Sequence, residues 1–194
     1  MMFIHQMLLA VIAGAITENL LFTRALGVNK VITRSKSYRN ILAFGALYLL
    51  NVVIGGIYAW EFGRLFDAKP WWNDYRGLFV LISITLSYFT VMLLAGIRKI
   101  KNARSLPIVV AFNSASVGAV YFAVLDHNQI LPVITHCIGC AIGITLDMIL
   151  VHSGRERLEI SNVPKAFSGI PIILIYIGIL GLAFYGMVGH RLPT

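Results

Sequence analysis

Charge is what this sequence has least of. Only 12% of its 194 residues are Asp, Glu, Lys or Arg, while 58% are hydrophobic. A soluble domain carries about 25% charged residues and about 45–50% apolar ones. That balance excludes a soluble domain, and the mean hydropathy of +0.82 agrees. Cysteine is scarce too: Cys137 and Cys140 both fall inside an apolar run, so no disulfide framework is implied. The first apolar run lacks a basic leader and a small-residue cleavage site, so no cleavable signal peptide is expected. The sequence contains no Walker loop, no G-x-G-x-x-G after a strand, no H-E-x-x-H and no nucleophile elbow, so a self-contained kinase or hydrolase is not indicated.

What is present is apolar sequence in blocks of spanning length. A membrane helix needs about 20 mostly apolar residues, and six such runs fall at 3–23, 41–60, 77–97, 106–125, 130–152 and 169–189. They leave no room for a soluble domain, so the chain reads as one all-α transmembrane domain, residues 1–194. The first run is crowded by Thr17, Glu18, Asn19 and Arg24, and the fourth by Asn113, Ser114 and Ser116 after Pro107.

The formal net charge of +8 comes from 16 basic and 8 acidic residues. The basic residues form no stripe or arm, and no nucleic acid partner is expected. Instead, twelve lie in the segments 24–40, 98–105 and 153–168, against four in 61–76 and at Arg191. Cytoplasmic loops carry the excess of Lys and Arg, which puts both chain ends outside. The expected location is the cell (inner, cytoplasmic) membrane, with lipid around a multi-pass chain. Trp60, Trp71, Trp72 and Tyr75 flank the outer 61–76 loop, as interfacial aromatics do.

Cutting the chain near residue 102 gives two three-helix halves, about 1–102 and 103–194, that start on opposite sides of the membrane. Each opens with its polar, irregular helix, containing Asn19 in one and Asn113 in the other. Inverted repeats with interrupted helices point to a site near the midplane, although polar patches also serve simply to pack helices. Glu18, Asn19, Asn113 and Ser114 are the candidate midplane polar site.

Ionisable residues inside a span are costly and face a cavity or a partner. Glu18 could pair with Arg24 or help gate an ion, and Asp147 could meet His152 or an Arg on another helix, unless each lies close enough to the interface to reach water. His136, Cys137 and Cys140 make an H-C-x-x-C cluster in the fifth run. Three ligands are too few for an iron–sulfur cluster, and the order is wrong for c-type haem attachment. Burial as packing residues is expected instead. Gly139 and Gly143, and Gly178 and Gly181, are small residues spaced for close helix approach.

Two stretches carry a family likeness. One runs Glu18-Asn19-Leu20-Leu21-Phe22-Thr23-Arg24-Ala25-Leu26-Gly27-Val28-Asn29. The other runs from Arg155-Glu156-Arg157-Leu158-Glu159 through Asn162-Val163-Pro164 to Phe167-Ser168-Gly169. With the six-helix pattern, the chain resembles the small membrane subunits of Rnf and Nqr electron-transport complexes, in particular the RnfA/NqrE branch. The resemblance implies a non-catalytic component of an ion-translocating oxidoreductase, with other complex subunits and a homologous six-helix subunit as partners. It also implies an intramembrane iron centre held by one cysteine from each half-repeat of each partner. Here those positions are Asn29, followed by Lys30 where proline is usual, and Ser114, and neither supplies a thiolate. No cofactor and no iron or iron–sulfur centre is therefore expected on this chain. Two other readings stay open: a vitamin-type small-solute transporter component, and a non-redox scaffold on the same fold.

Overall fold

The computed structural model describes residues 2–35, 37–66, 68–94, 105–126 and 129–188. Among the described residues every regular element is helical. That is what a lipid solvent demands, because each backbone N–H and C=O must be bonded within the protein. Helix α1 (Met2–Ile12) passes into a π-helical turn over Ala13–Thr17. Then follow α2 (Val28–Arg34), α3 (Tyr38–Phe66), α4 (Trp72–Leu94), α5 (Ser105–Ala111), α6 (Ser114–Asp126), α7 (Ile130–Ile160) and α8 (Ile170–Val188).

Helices α3, α4 and α7 are each long and apolar enough to cross a membrane. At 1.5 Å per residue, their 29, 23 and 31 residues reach about 44, 35 and 47 Å, more than the ~30 Å hydrocarbon core. Shorter apolar helical stretches occupy 7–17, 114–125 and 170–186. Large apolar side chains point outward, with Leu93, Leu94 and Leu182 each at least 75% exposed. Lipid, rather than water, suits such a surface.

Several boundaries differ from those that hydropathy predicts. Helix α7 continues eight residues past the apolar run, through Arg155-Glu156-Arg157-Leu158-Glu159. Those residues are good helix formers, and Arg155 pairs with Glu159 one turn on at 3.4 Å. The 24–40 segment contains a helix, α2, rather than only loop. The first run ends its helix at Thr17, and the fourth is two helices broken at Phe112 and Asn113. Trp72 is buried beside Phe66 and Phe79 instead of facing the interface. Lys36, Arg98, Lys99, Lys101, Arg104 and Arg191, used in the charge count, lie outside the described residues, as does the proposed repeat junction near 102.

Helices α3 and α7 form the central pair. They run antiparallel, since Gly45 meets Thr145 while Gly56 meets Cys137. The segment containing α1 and the π turn lies along α7 in parallel, with Gly14 against Gly139, Ala15 against Gly143 and Asn19 against Asp147. Helix α6 lies along α3 in parallel, with Val120 at Gly55 and Val124 at Gly63, and it also touches α7. Ala115, Ala119 and Ala123, spaced by four, give α6 a small-residue stripe that is fully buried.

The close approach expected at Gly139 and Gly143 is made by the first segment. A Cβ on Gly139 would sit 2.7 Å from the Val11 carbonyl oxygen, and one on Gly143 would sit 3.0 Å from that of Ala15. In α8, Gly181 likewise approaches the Phe22 carbonyl oxygen, but Gly178 faces open space. The Asn162-Val163-Pro164…Phe167-Ser168-Gly169 stretch is the turn into α8. The Phe167 N–H donates to the Pro164 carbonyl, and Gly169 takes φ +87, a value that needs glycine.

Candidate functional site

Asn19 organises the break after the π turn. Its Oδ1 accepts from the backbone N–H of Leu21 at 3.0 Å and of Phe22 at 2.8 Å. These N–H groups lie past the end of the π turn, and a short amide side chain that bonds them offers the backbone an alternative to continuing the helix. Its Nδ2 donates to the Ala15 carbonyl at 3.1 Å and to Asp147 Oδ1 at 2.7 Å. Asn19 is buried and Asp147 completely so. The chain then turns through Ala25 at φ 55 and Gly27 at φ 81 into α2.

Asn113 does a similar job at the second break. The α6 N-terminus begins with the Val117 N–H donating to its carbonyl, and its Oδ1 faces the Ala115 N–H at 3.4 Å. Ser116 Oγ reaches back to the Val110 carbonyl at 2.6 Å, tying α5 to α6. The two breaks meet directly: the Gly27 N–H donates to Ser114 Oγ at 3.0 Å. A Cβ on Gly27 would lie 2.9 Å from Ala115 Cβ and 3.8 Å from Asn113 Nδ2.

Asp147 meets Asn19 rather than His152 or an Arg. His152 instead faces the Ser35 carbonyl at 3.0 Å and Glu156 at 3.6 Å. Glu18 is paired with His136 at 3.4 Å, not with Arg24, whose guanidinium sits 3.6 Å above the Phe122 ring. Glu18 and Asn19 are neighbours in sequence, yet one contacts His136 and the other Asp147, eleven residues further along α7. Eleven residues make about three helical turns, so the two partners share one face of α7 about 16 Å apart. Cys137 and Cys140 are free thiols buried in the same helix, with Cys137 against Gly56. Asn51, a polar interruption of α3, is buried and accepts from Ser87 Oγ at 2.7 Å.

The residues that the family resemblance assigns to iron can be judged on their chemistry. Asn29 is exposed on the first turn of α2, and its carbonyl accepts from Thr33. Ser114 Oγ is already the acceptor for Gly27. An amide and a bonded hydroxyl do not fit a centre that selects thiolates. The Cys137 thiol is directed to α3 instead. Among the described residues no group of three or more His, Cys, Asp or Glu is placed to hold a metal.

Comparison with known proteins finds relatives over nearly the whole chain. One component of an ion-translocating oxidoreductase complex from Syntrophotalea carbinolica is 30% identical over 191 residues, covering 95% of this chain and 97% of that one. The corresponding component from Aromatoleum aromaticum is 28% identical over 191 residues, with the same coverage. Its counterpart in a Na(+)-translocating ferredoxin:NAD(+) oxidoreductase complex from Acetobacterium woodii is 37% identical over 87 residues, 45% of each chain. Residues 7–190 match the family described as "Rnf-Nqr subunit, membrane protein". A helical, multi-pass chain with this length-spanning match belongs to the Rnf-Nqr family of membrane subunits.

Proposed function

We propose that this chain is a divergent membrane subunit of an Rnf/Nqr-type ion-translocating electron-transport complex, without an iron centre of its own. It crosses the cell membrane six times as two inverted three-helix halves, with both ends outside, and forms one transmembrane domain. It contributes no catalytic residue. Its partners are the redox subunits of the complex and a homologous six-helix subunit.

The observation that carries this reading is the exchange between the two halves. The broken segment of the first half runs parallel along α7, and α6 runs parallel along α3, while α3 and α7 are antiparallel. An inverted repeat would generate this pattern, and the two breaks meet at Gly27 and Ser114. Glu18, Asn19, Asn113 and Ser114 then form a polar seam between the halves. Ser114 joins the two breaks by accepting from the Gly27 N–H, and Asn19 ties the first break to Asp147 of α7.

Three full-length or partial relatives carry names that join ion translocation to oxidoreduction, one of them with ferredoxin and NAD(+). Deleting the chain from its native host and measuring ion uptake into inverted vesicles, driven by reduced ferredoxin or NADH, tests the reading. Loss of uptake, restored by the wild-type chain, is expected. Unchanged electron-driven uptake, together with loss of uptake of a vitamin-type solute, would support the transporter reading instead.

A further inference from the structure

Asp147 sits where a negative charge is hardest to keep. Its side chain is completely buried in α7. One oxygen, Oδ1, accepts a 2.7 Å hydrogen bond from Asn19 Nδ2, and the other, Oδ2, is buried with no hydrogen-bond partner. Among the described residues no ion pair reaches it.

The charged and titratable groups on the surrounding elements give it no counter-ion. From the first break, Glu18 faces His136 and Arg24 covers Phe122. Helix α2 carries Lys30 and Arg34, neither paired with Asp147, and the Ser35 carbonyl that follows it faces His152. Helix α3 supplies the phenol of Tyr48, which is completely buried and carries no positive charge. Helix α6 carries Tyr121 but no Lys, Arg or His, and its buried Ser116 hydroxyl is already bonded to the Val110 carbonyl. Helix α8 supplies Tyr176, which donates to the Leu150 carbonyl at 3.4 Å. On α7 itself stand the Cys137 and Cys140 thiols, His136, His152 and, at the far end, the Arg155–Glu159 pair.

A single amide donor does not replace the hydration of an ionised carboxylate, and no cation among the described residues stands by to neutralise it. A carboxylic acid fits the same surroundings. Its carbonyl oxygen, Oδ1, accepts from Asn19, and Oδ2 carries the hydrogen. We propose that Asp147 is a proton-binding site inside the membrane, formed where the first-helix break lays Asn19 against α7. Proton occupancy is independent of the reading above. Its use in ion translocation rests on that reading.

Infrared difference spectroscopy on the purified assembly in lipid tests the proposal. Subtracting the Asp147→Asn spectrum from wild type should leave a protonated-carboxyl C=O stretch at neutral pH, and D2O should lower its frequency. Asn19→Ala should raise that frequency, because the carbonyl loses its donor. A carboxylate band in place of the C=O stretch overturns the proposal. So does a C=O stretch removed by sodium chloride and kept in potassium chloride, which assigns a sodium site instead. If Asp147→Asn does not fold, the D2O shift and the Asn19→Ala displacement decide alone. Absence of redox subunits from the assembly would sink the functional reading while leaving the band in place.

Discussion

Adding one methyl group at Gly139 tests the packing that holds the candidate site in place. A Cβ there would lie 2.7 Å from the Val11 carbonyl oxygen and 3.1 Å from Gly14 Cα. Both neighbours are backbone, so no side chain can swing aside, and α1 must move off α7. Overpacking of this kind costs about 1–3 kcal/mol. Alanine in a helix regains about 0.5–1 kcal/mol over glycine, leaving a net loss on the order of 1–2 kcal/mol. Gly178 is the internal control, because a Cβ there meets nothing within 4 Å. Gly178→Ala should therefore be neutral, or stabilising by up to about 1 kcal/mol. The buried free thiols of Cys137 and Cys140 provide the assay, since a thiol-reactive fluorophore reaches them only on unfolding. Gly139→Ala should lower the midpoint by roughly 2–4 °C per kcal/mol lost. A Gly139→Ala protein as stable as wild type, or a Gly178→Ala protein equally damaged, would refute the direct backbone contact.

Asn19→Ala removes the cap for Leu21 and Phe22 and the amide donor to Asp147. It should cost about 1–3 kcal/mol for the stranded buried groups, read in the same unfolding assay and exceeding the cost of Asp147→Asn, which keeps an acceptor for Asn19. Gly27→Ala forces a φ of 81 on a residue with a side chain and drives its Cβ to 2.9 Å from that of Ala115. It should destabilise by at least about 1 kcal/mol, and a neutral result in thermal unfolding would count against the meeting of the two breaks. Glu18→Gln should impair ion movement in vesicles while the assembly still purifies intact, and unchanged transport would remove Glu18 from the pathway.

The two irregular helices are legible in the sequence. Asn19 and Asn113 sit inside apolar runs, and a short amide there competes with the helix for backbone groups. The glycine pair of α7 is legible too, because small residues four apart have one common use in lipid. Other features depend on contacts that no local pattern encodes. Asn19 and Asp147 are 128 residues apart, and His152 and Arg24 are the nearer and wrong candidates for the two acids. Hydropathy also clips α7 at residue 152. It measures where lipid ends, whereas Arg155, Glu156 and Glu159 continue the helix by propensity and one-turn ion pairing. The π turn over Ala13–Thr17 leaves no sequence signal beyond the weakness of the first run. The backbone of that turn lies on the Gly139–Gly143 surface, a contact made between residues far apart in sequence.

The most direct measurement is the composition of the assembly purified from native membranes through a tag on this chain. A homologous six-helix subunit together with flavin-binding and ferredoxin-like subunits is expected, with no stoichiometric iron bound by this chain. About one iron for each pair of six-helix subunits would contradict the assignment of Asn29 and Ser114 as non-ligands. Recovery of a pair of ATPases in place of the redox subunits would contradict the electron-transport reading itself.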